Sequence, residues 1–332
     1  MKCFVSGGAG FIGSHVTDEL IALGHQVVVL DDLSGGFQEN VNPRAEFVKG
    51  SVNDHGVVNE LFRAQSFDYV FHLAAYAAEG LSHFIKKFNY ENNLIGSVNL
   101  INAAVNYNVK CFVFTSSIAV YGKNQLPMHE NMIPQPEDSY GIAKYAVEQE
   151  LRVTRQLFGL DYIIFRPHNV YGERQHIGDK YRNVLGIFMN QIMKGQPMTI
   201  YGDGLQQRAF TYISDVAPII AKSIHEPRAY NQLFNLGSDQ PTTVQELAHV
   251  VADAMGVKPQ IQHLPVRQEV KHAYSDHTRA KDIFGQDSFV SLAEGIRRMA
   301  AWAKKVGSRE TQHFDNIEIE KNLPDVWRRY KS

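Results

Sequence analysis

Tyr140 and Lys144 stand four residues apart in the run Ser139-Tyr140-Gly141-Ile142-Ala143-Lys144. On a helix this spacing puts both side chains on one face, where a lysine ammonium stabilises a neighbouring phenolate and draws the phenol toward the working range of a general base. A solvent-exposed pair has the same spacing. Ser116-Ser117 adds a second reacting group, because it follows the apolar run Cys111-Phe112-Val113-Phe114. A hydroxyl at the carboxyl end of a central strand can hydrogen-bond the oxygen that such a tyrosine deprotonates. The chemistry implied is proton removal from an alcohol, which becomes an oxidation if something nearby accepts a hydride.

An acceptor site is legible at the other end of the sequence. Ser6-Gly7-Gly8-Ala9-Gly10-Phe11-Ile12-Gly13 follows the apolar run Cys3-Phe4-Val5. Gly7 and Gly10 let the backbone turn tightly and approach a pyrophosphate, Gly13 lets a helix lie close on the strand, and the free N–H groups of that helix face the phosphates. Phe11 to Leu23 has helical periodicity and Gln26 to Leu30 is a continuous apolar strand ending at Asp31. A carboxylate about twenty residues past the last glycine takes the ribose hydroxyls of a dinucleotide. Asp31 and its neighbour Asp32 repel a 2′-phosphate, which favours NAD over NADP.

The elements that must hold these groups alternate. Strands are expected at Glu46–Lys49, Asp68–Leu73, Cys111–Phe114 and Asp161–Arg166, and helices at Val57–Ala64, Phe88–Asn108 and Ser139–Leu157, with Asn53 or Asp54 capping the first helix. This is the pattern of an α/β, Rossmann-type doubly wound parallel sheet. The small residues Ala74-Ala75 after the fourth strand leave room for a cofactor. Beyond Arg166 the rhythm loosens, with helices expected at Val184–Lys194, Asp215–His225, Val244–Met255 and Ser291–Lys304 and a strand at Gln232–Leu236. The expected division is a cofactor domain over residues 1–166, with 210–236 returning to it, and a smaller mixed substrate domain over 167–209 and 237–332.

Composition narrows the function classes. The 332 residues are 44% hydrophobic and 20% charged, with a formal net charge of −2, which is globular composition without a broad basic field for nucleic acid or anionic membrane. Cys3 and Cys111 sit in apolar runs, as buried free thiols of a reducing compartment do. No stretch reaches the ~20 apolar residues of a membrane span, and a cytoplasmic protein is expected. The 14 histidines show no H-E-x-x-H spacing and there is no G-x-S-x-G elbow, so no metal site or serine hydrolase is expected. Trp302 and Trp327 are expected to pack in the core or at its edge.

Taken together, the Gly7–Gly13 turn, Asp31, Leu73-Ala74-Ala75, Thr115-Ser116-Ser117, Val120-Tyr121-Gly122, Tyr140-x-x-x-Lys144 and Arg166-Pro167-x-Asn169-Val170-Tyr171-Gly172 resemble an extended short-chain dehydrogenase/reductase. Within that superfamily the chain is similar to the NAD-dependent nucleotide-sugar epimerases and dehydratases, typified by UDP-glucose 4-epimerase. The resemblance covers essentially the whole chain. It implies Ser117, Tyr140 and Lys144 as the catalytic set, Lys144 also holding the nicotinamide ribose. It places Gly7, Gly10, Phe11, Ile12, Gly13, Asp31, Asp32, Ser51, Val52, Leu73, Ala74, Ala75, Asn93 and Ser116 at NAD. Glu79, Ser117, His168, Asn169, Asn183, Arg208, Arg267 and Glu269 are placed at a nucleotide-diphosphate sugar, a UDP-sugar being favoured. Arg208 neutralises the diphosphate in this reading, since a guanidinium fork suits phosphate oxygens. His168 and the group Glu79, Ser82 and His83 also read as a packed loop histidine and as solvent-facing side chains. The helices around Phe88–Asn108 and Ser139–Leu157 resemble those through which the family forms homodimers.

The chain departs from the family pattern in places. Ser51 replaces a frequent Asp, Ala77 stands where sugar 4-epimerases can carry a lysine, and Arg267-Gln268-Glu269 is one residue shorter than usual. The implied reaction is epimerisation at C4 through a transient ketone. A 4,6-dehydratase needs an Asp-Glu pair where this chain has Ile118 and Ala119, neither able to transfer a proton. A nucleotide-sugar decarboxylase stays open. A catalytically idle NAD and nucleotide-sugar sensor is the reading from another class.

Overall fold

The computed structural model describes residues 1–123, 125–266, 272–286, 288–311 and 313–328. The first half runs β1 (Lys2–Ser6), α1 (Phe11–Ala22), β2 (Gln26–Asp31), β3 (Glu46–Lys49), α2 (His55–Ala64), β4 (Tyr69–His72), α3 (Glu79–Ser82), α4 (Lys86–Tyr90), α5 (Gly96–Asn106), β5 (Cys111–Thr115), α6 (Ser139–Phe158) and β6 (Asp161–Pro167). The second half runs β7 (Val170–Tyr171), α7 (Val184–Met193), β8 (Met198–Tyr201), β9 (Gln207–Ala209), β10 (Thr211–Tyr212), α8 (Ala217–Lys222) and β11 (Gln232–Leu236). It ends with β12 (Pro241–Thr243), α9 (Val244–Met255), β13 (Ile261–Leu264), β14 (His272–Ala273), α10 (Thr278–Phe284) and α11 (Leu292–Val306).

Seven strands form one sheet in the order β11-β6-β5-β4-β1-β2-β3, all parallel, as the register pairs Val5↔Val29, Val5↔Phe71 and Phe71↔Val113 illustrate. The order reverses between β1 and β4, and in such sheets ligands bind at the carboxyl ends of the strands beside that reversal. Side chains alternate across the sheet. Phe4, Val28, Val70 and Phe112 pack with α2, α5 and α6, whereas Val5, Val29, Phe71 and Val113 pack on the opposite face in the larger core that includes α1 and α8. Cys3 and Cys111 are free and buried in these strands, and burial pushes the Cys3 thiol up to about 12. Three small sheets, β10-β7, β12-β9-β14 and β13-β8, build the part beyond β6. Among the described residues no helix is long and apolar enough to cross a membrane.

Helix ends follow local chemistry. Asp54 caps α2 by accepting from Val57 N at 3.0 Å, Asp138 caps α6 by accepting from Gly141 N at 2.7 Å, and Gly159 ends α6 in the left-handed conformation. Two expected helices differ. The helix expected over Phe88–Asn108 begins at Lys86, ends at Asn106 and passes through a π-helical turn at Glu91–Ile95. The helix expected over Asp215–His225 is a short α8 between two 3₁₀ turns, with Pro218 in its first turn.

A buried ion pair locks α6 to the sheet. Arg166 donates to Glu148 through Nε at 2.9 Å and Nη2 at 2.5 Å, with both side chains 3% exposed. Ser116 Oγ also donates to Glu148, the Tyr121 ring lies 4.5 Å from the guanidinium, and Tyr121 Oη donates to Asn235 Oδ1 at 2.9 Å. The network therefore ties α6, β5, β6 and β11 together. Glu148→Ala leaves the Arg166 charge uncompensated and is expected to cost about 3–5 kcal/mol in urea unfolding, with stability regained when Arg166→Met is added. A cost below about 1 kcal/mol, typical of a solvated pair, would contradict this packing.

Candidate active site

A cavity of about 1760 Å³ opens along the carboxyl ends of the strands. The glycine turn forms its floor. Gly7 has φ +75°, a Cβ there would lie 2.6 Å from Ala74 N, and a Cβ on Gly13 would lie 2.1 Å from the Gly7 carbonyl oxygen. Turn, strand and helix are therefore closer than any larger residue permits. Helix α1 has no side-chain cap among the described residues, and its first residues Phe11, Ile12 and Gly13 border the cavity. Uncapped N–H groups at a helix start are a ready anion site. The Asp31 carboxylate accepts from Leu33 N at 2.8 Å and Ala9 N at 3.0 Å, and burial raises its pKa despite those bonds. Gly10, Asp32, Ser51, Val52, Leu73, Ala74 and Ala75 line the same end. A cradle that a Cβ would fill, an open helix terminus and a carboxylate beyond it fit a dinucleotide.

Beneath that floor a polar chain crosses the protein interior. Ser6 Oγ and His72 Nδ1 are 2.7 Å apart, and His72 Nε2 and Ser97 Oγ are also 2.7 Å apart. Burial holds the His72 pKa well below the ordinary value, so the ring is a neutral strut. Ser97 Oγ donates to Asn93 O at 2.9 Å. Asn93 in turn accepts from Tyr76 N at 2.9 Å and donates to Tyr76 O at 3.1 Å. Asn93 is thus placed behind the wall, and reaches the cavity through the Tyr76 backbone.

The reacting groups meet on the wall above β5. Tyr140, Lys144, Ser116 and Ser117 all border the cavity. The Ser117 side chain hydrogen-bonds the Tyr140 phenol and also accepts from Ala119 N at 3.1 Å. Lys144 Nζ donates to Thr115 O at 2.8 Å and lies 5.8 Å from the Tyr140 ring centre. Burial lowers the Lys144 pKa to about 7, with Glu148 opposing. The phenol departs from the expectation of a lowered pKa. Burial is the largest effect and raises it, Glu79 raises it further, and the Ser117 hydrogen bond and Arg182 act the other way. Ser116 differs as well, since its hydroxyl is committed to Glu148 in the interior.

The other end of the cavity is bordered by Asn169, Asn183 and Arg208. Asn169 Nδ2 donates to Ala209 O at 3.0 Å, Arg208 Nη1 donates to Gln207 O at 2.8 Å, and Asn183 has φ +65° at the start of α7. His168 does not line the cavity. It is fully buried with Nε2 3.0 Å from Ala273 O and Nδ1 3.5 Å from Ser275 Oγ, because its strand end is covered by β14 and the segment behind it. Ser275, His277 and Asp239 follow in hydrogen-bonded order at 2.9 and 2.6 Å, the arrangement of a hydrolytic triad. Ser275 is buried away from the cavity wall, so this triad packs rather than reacts. Arg267 and Glu269 lie outside the described residues.

Sequence reasoning missed the loop before α7. Arg182 is partly buried, donates to Asp179 at 2.6 Å and stacks 4.8 Å from the Tyr76 ring centre, and both Asp179 and Arg182 border the cavity. Their only local signal is a charged run, Asp179-Lys180-Tyr181-Arg182, just ahead of an apolar helix.

Residues 3–237 match the NAD dependent epimerase/dehydratase family. A putative UDP-glucose 4-epimerase of Methanocaldococcus jannaschii is 35% identical over 303 residues, spanning 90% of this chain and 97% of that protein. The crystal structure of UDP-glucose 4-epimerase from Thermotoga maritima with UDP-glucose superposes with a TM-score of 0.88 at 36% identity, over 92% of this chain and 99% of that one. The UDP-glucose 4-epimerase of Thermus thermophilus in complex with NAD gives 0.84 at 32% identity, over 91% and 98%. With the glycine cradle, Asp31 and the Ser117, Tyr140 and Lys144 group on one cavity, the chain belongs to the NAD dependent epimerase/dehydratase family.

Proposed function

We propose that this NAD-dependent enzyme epimerises a nucleotide-diphosphate sugar, a UDP-sugar in the first instance, at C4 through a transient 4-keto intermediate. The observation that carries the reading is the Tyr140 phenol hydrogen-bonded to Ser117 and one helical turn from a buried Lys144, on the wall of a cavity with the dinucleotide cradle at one end and Arg208 at the other. Gly7, Gly10, Phe11, Ile12, Gly13, Asp31, Asp32, Ser51, Val52 and Leu73 to Ala75 hold the cofactor. When bound, NAD supplies the two-electron acceptor that turns the C4 alcohol into a ketone and back, and a positive ring whose field favours a phenolate. Tyr140 Oη takes the C4 hydroxyl proton and later returns it. Ser117 orients the same oxygen. Lys144, fixed by the Thr115 carbonyl, brings positive charge to the phenol side of the helix and reaches the nicotinamide ribose. Arg208 neutralises the diphosphate.

Residues 1–166 with 210–236 serve as the cofactor half and the remainder as the sugar-nucleotide half. Exposed Ile95, Ile142, Val153, Leu157 and Phe158 on the α5 and α6 side supply the apolar face for a homodimer, and the buried thiols suit a cytoplasmic enzyme. Incubation with UDP-, GDP- and dTDP-sugars plus NAD, followed by NMR of the products, tests the reading. A C4 epimer without carbon dioxide release supports it. Carbon dioxide release indicates a decarboxylase, and binding without turnover of any sugar indicates a sensor.

Tyr140→Phe is expected to lower turnover by about 10²–10⁴-fold while NAD still binds, and near-normal turnover would remove Tyr140 from the base role. Lys144 gives a stability prediction in the absence of ligands. Its folded pKa of about 7 lies below the ordinary lysine value of 10.5, so between those values the unfolded chain binds more protons and stability rises with pH. Below about pH 7 both states are charged and the full cost of burying the ammonium is present. Lys144→Met is therefore expected to gain most over the wild type at pH 7 and to lose that advantage toward pH 10 in urea unfolding. A difference independent of pH would show that Lys144 is not buried as a titrating charge.

A further inference from the structure

Behind α11 the described residues join no sheet and instead run back over α3, α4 and the loop before α7. Arg309 anchors the start, its guanidinium 3.6 Å from the Phe37 ring centre and 3.1 Å from Glu39. Further along, Phe314 N donates to Tyr181 Oη at 3.1 Å and its ring packs edge-on to Phe88 at 4.8 Å. Glu318 accepts from Lys87 N at 2.7 Å and Phe88 N at 2.9 Å, while Lys180 Nζ donates to Val326 O at 2.9 Å. Leu323 and Trp327 are buried with Ala78, Leu81, Ile85 and Tyr181 in a small apolar cluster separate from the two cores on the main sheet.

This strap forms part of the catalytic cavity. Lys321, Asn322, Leu323 and Trp327 border it. Trp327 also lies against α3, where a Cβ on Gly80 would stand 3.2 Å from its ring. Glu79, next to Gly80, adds to burial in raising the Tyr140 phenol, and Ser82 Oγ accepts from Tyr140 N at 3.2 Å. The strap therefore meets the cavity through α3, whose Ser82 contacts Tyr140, the place where the proposed reading puts the sugar. Helix α3 has only four residues, too short to be stable alone, and α4 is the opening turn of the helical run that continues into α5; neither has a side-chain cap of its own among the described residues. The first N–H groups of α4 are satisfied by Glu318 from the strap.

We propose that the strap, through Trp327 and Glu318, is the specificity-determining wall of the sugar end: it fixes α3 and α4 and so selects which sugar fits, without contributing to nucleotide or NAD affinity. The proposal rests on reading the cavity as a nucleotide-sugar site.

The test uses full-length Trp327→Ala and Glu318→Gln, with dissociation constants for NAD, UDP, UDP-glucose, UDP-N-acetylglucosamine and UDP-glucuronate. Trp327→Ala is expected to change the affinity ratio between the best and poorest UDP-sugar by about tenfold, the size of a lost pocket contact. NAD and UDP affinities stay within about twofold of wild type. Unchanged ratios, or an equal loss for UDP and every UDP-sugar, overturn the proposal. If Trp327→Ala no longer binds NAD, Glu318→Gln, which removes one of the two acceptors that hold the start of α4 without opening the apolar cluster, decides by the same two outcomes. Selective binding by a wild type that epimerises nothing would sink the catalytic reading and leave the wall intact; a wild type that binds no UDP-sugar overturns both.

Discussion

The constraint from which the site follows is a lysine held inside the protein. Lys144 is fully buried, with its ammonium 2.8 Å from the Thr115 carbonyl and 4.7 Å from the Phe114 ring centre. A buried cation is tolerated only where fixed dipoles and opposite charge replace water. That requires α6 to lie tightly on the end of β5, and the backbone shows how tightly, since a Cβ on Gly141 would come 2.7 Å from Ala119 O. Glu148, one turn beyond Lys144, supplies the opposite charge, yet it is itself buried and needs Arg166 and Ser116 to satisfy it. The cavity-facing side of α6 is consequently one side of a polar network that reaches β6 and β11.

The same burial acts on both members of the pair in opposite senses. It favours the neutral form, so it lowers the lysine and raises the phenol. Without added positive charge in the cavity the Tyr140 phenol therefore keeps its proton, since burial and Glu79 both disfavour the phenolate. A site built this way is quiet until it is filled, which suits a reaction whose oxidised intermediate must not meet water or stray protons.

What the sequence disclosed was what local spacing encodes. The glycine turn, Asp31, the alternation of strand and helix and the i, i+4 pair on α6 each depend on a few neighbouring residues, and the sheet carries them to one cavity. What it hid depends on contacts between distant residues. The π-helical turn that aims Asn93 at Tyr76 has no local signature, because Phe88 to Asn108 keeps ordinary helical periodicity. The sign of the Tyr140 shift required knowing that the phenol is buried, with Glu79 from a separate segment facing it. His168 lies beside Asn169 in the chain, but β14 covers it. Trp327 was legible as a packing residue, but its partners Gly80 and Tyr181 were not.

The two ends of the cavity are consequently built by different physics. At the glycine turn, steric contact is absolute: backbone meets backbone at distances no Cβ survives, and any substitution there disturbs strand, turn and helix at once. Beside Tyr140 the wall is made of the four-residue α3 and the opening turn of α4, held by the strap through Trp327 and Glu318. Local stability is low where elements cannot nucleate on their own, so this wall can be reshaped by changing residues that touch neither Tyr140 nor the sheet. A fold with one end fixed by close packing and the other set by long-range contacts can keep a single redox chemistry while its sugar pocket changes.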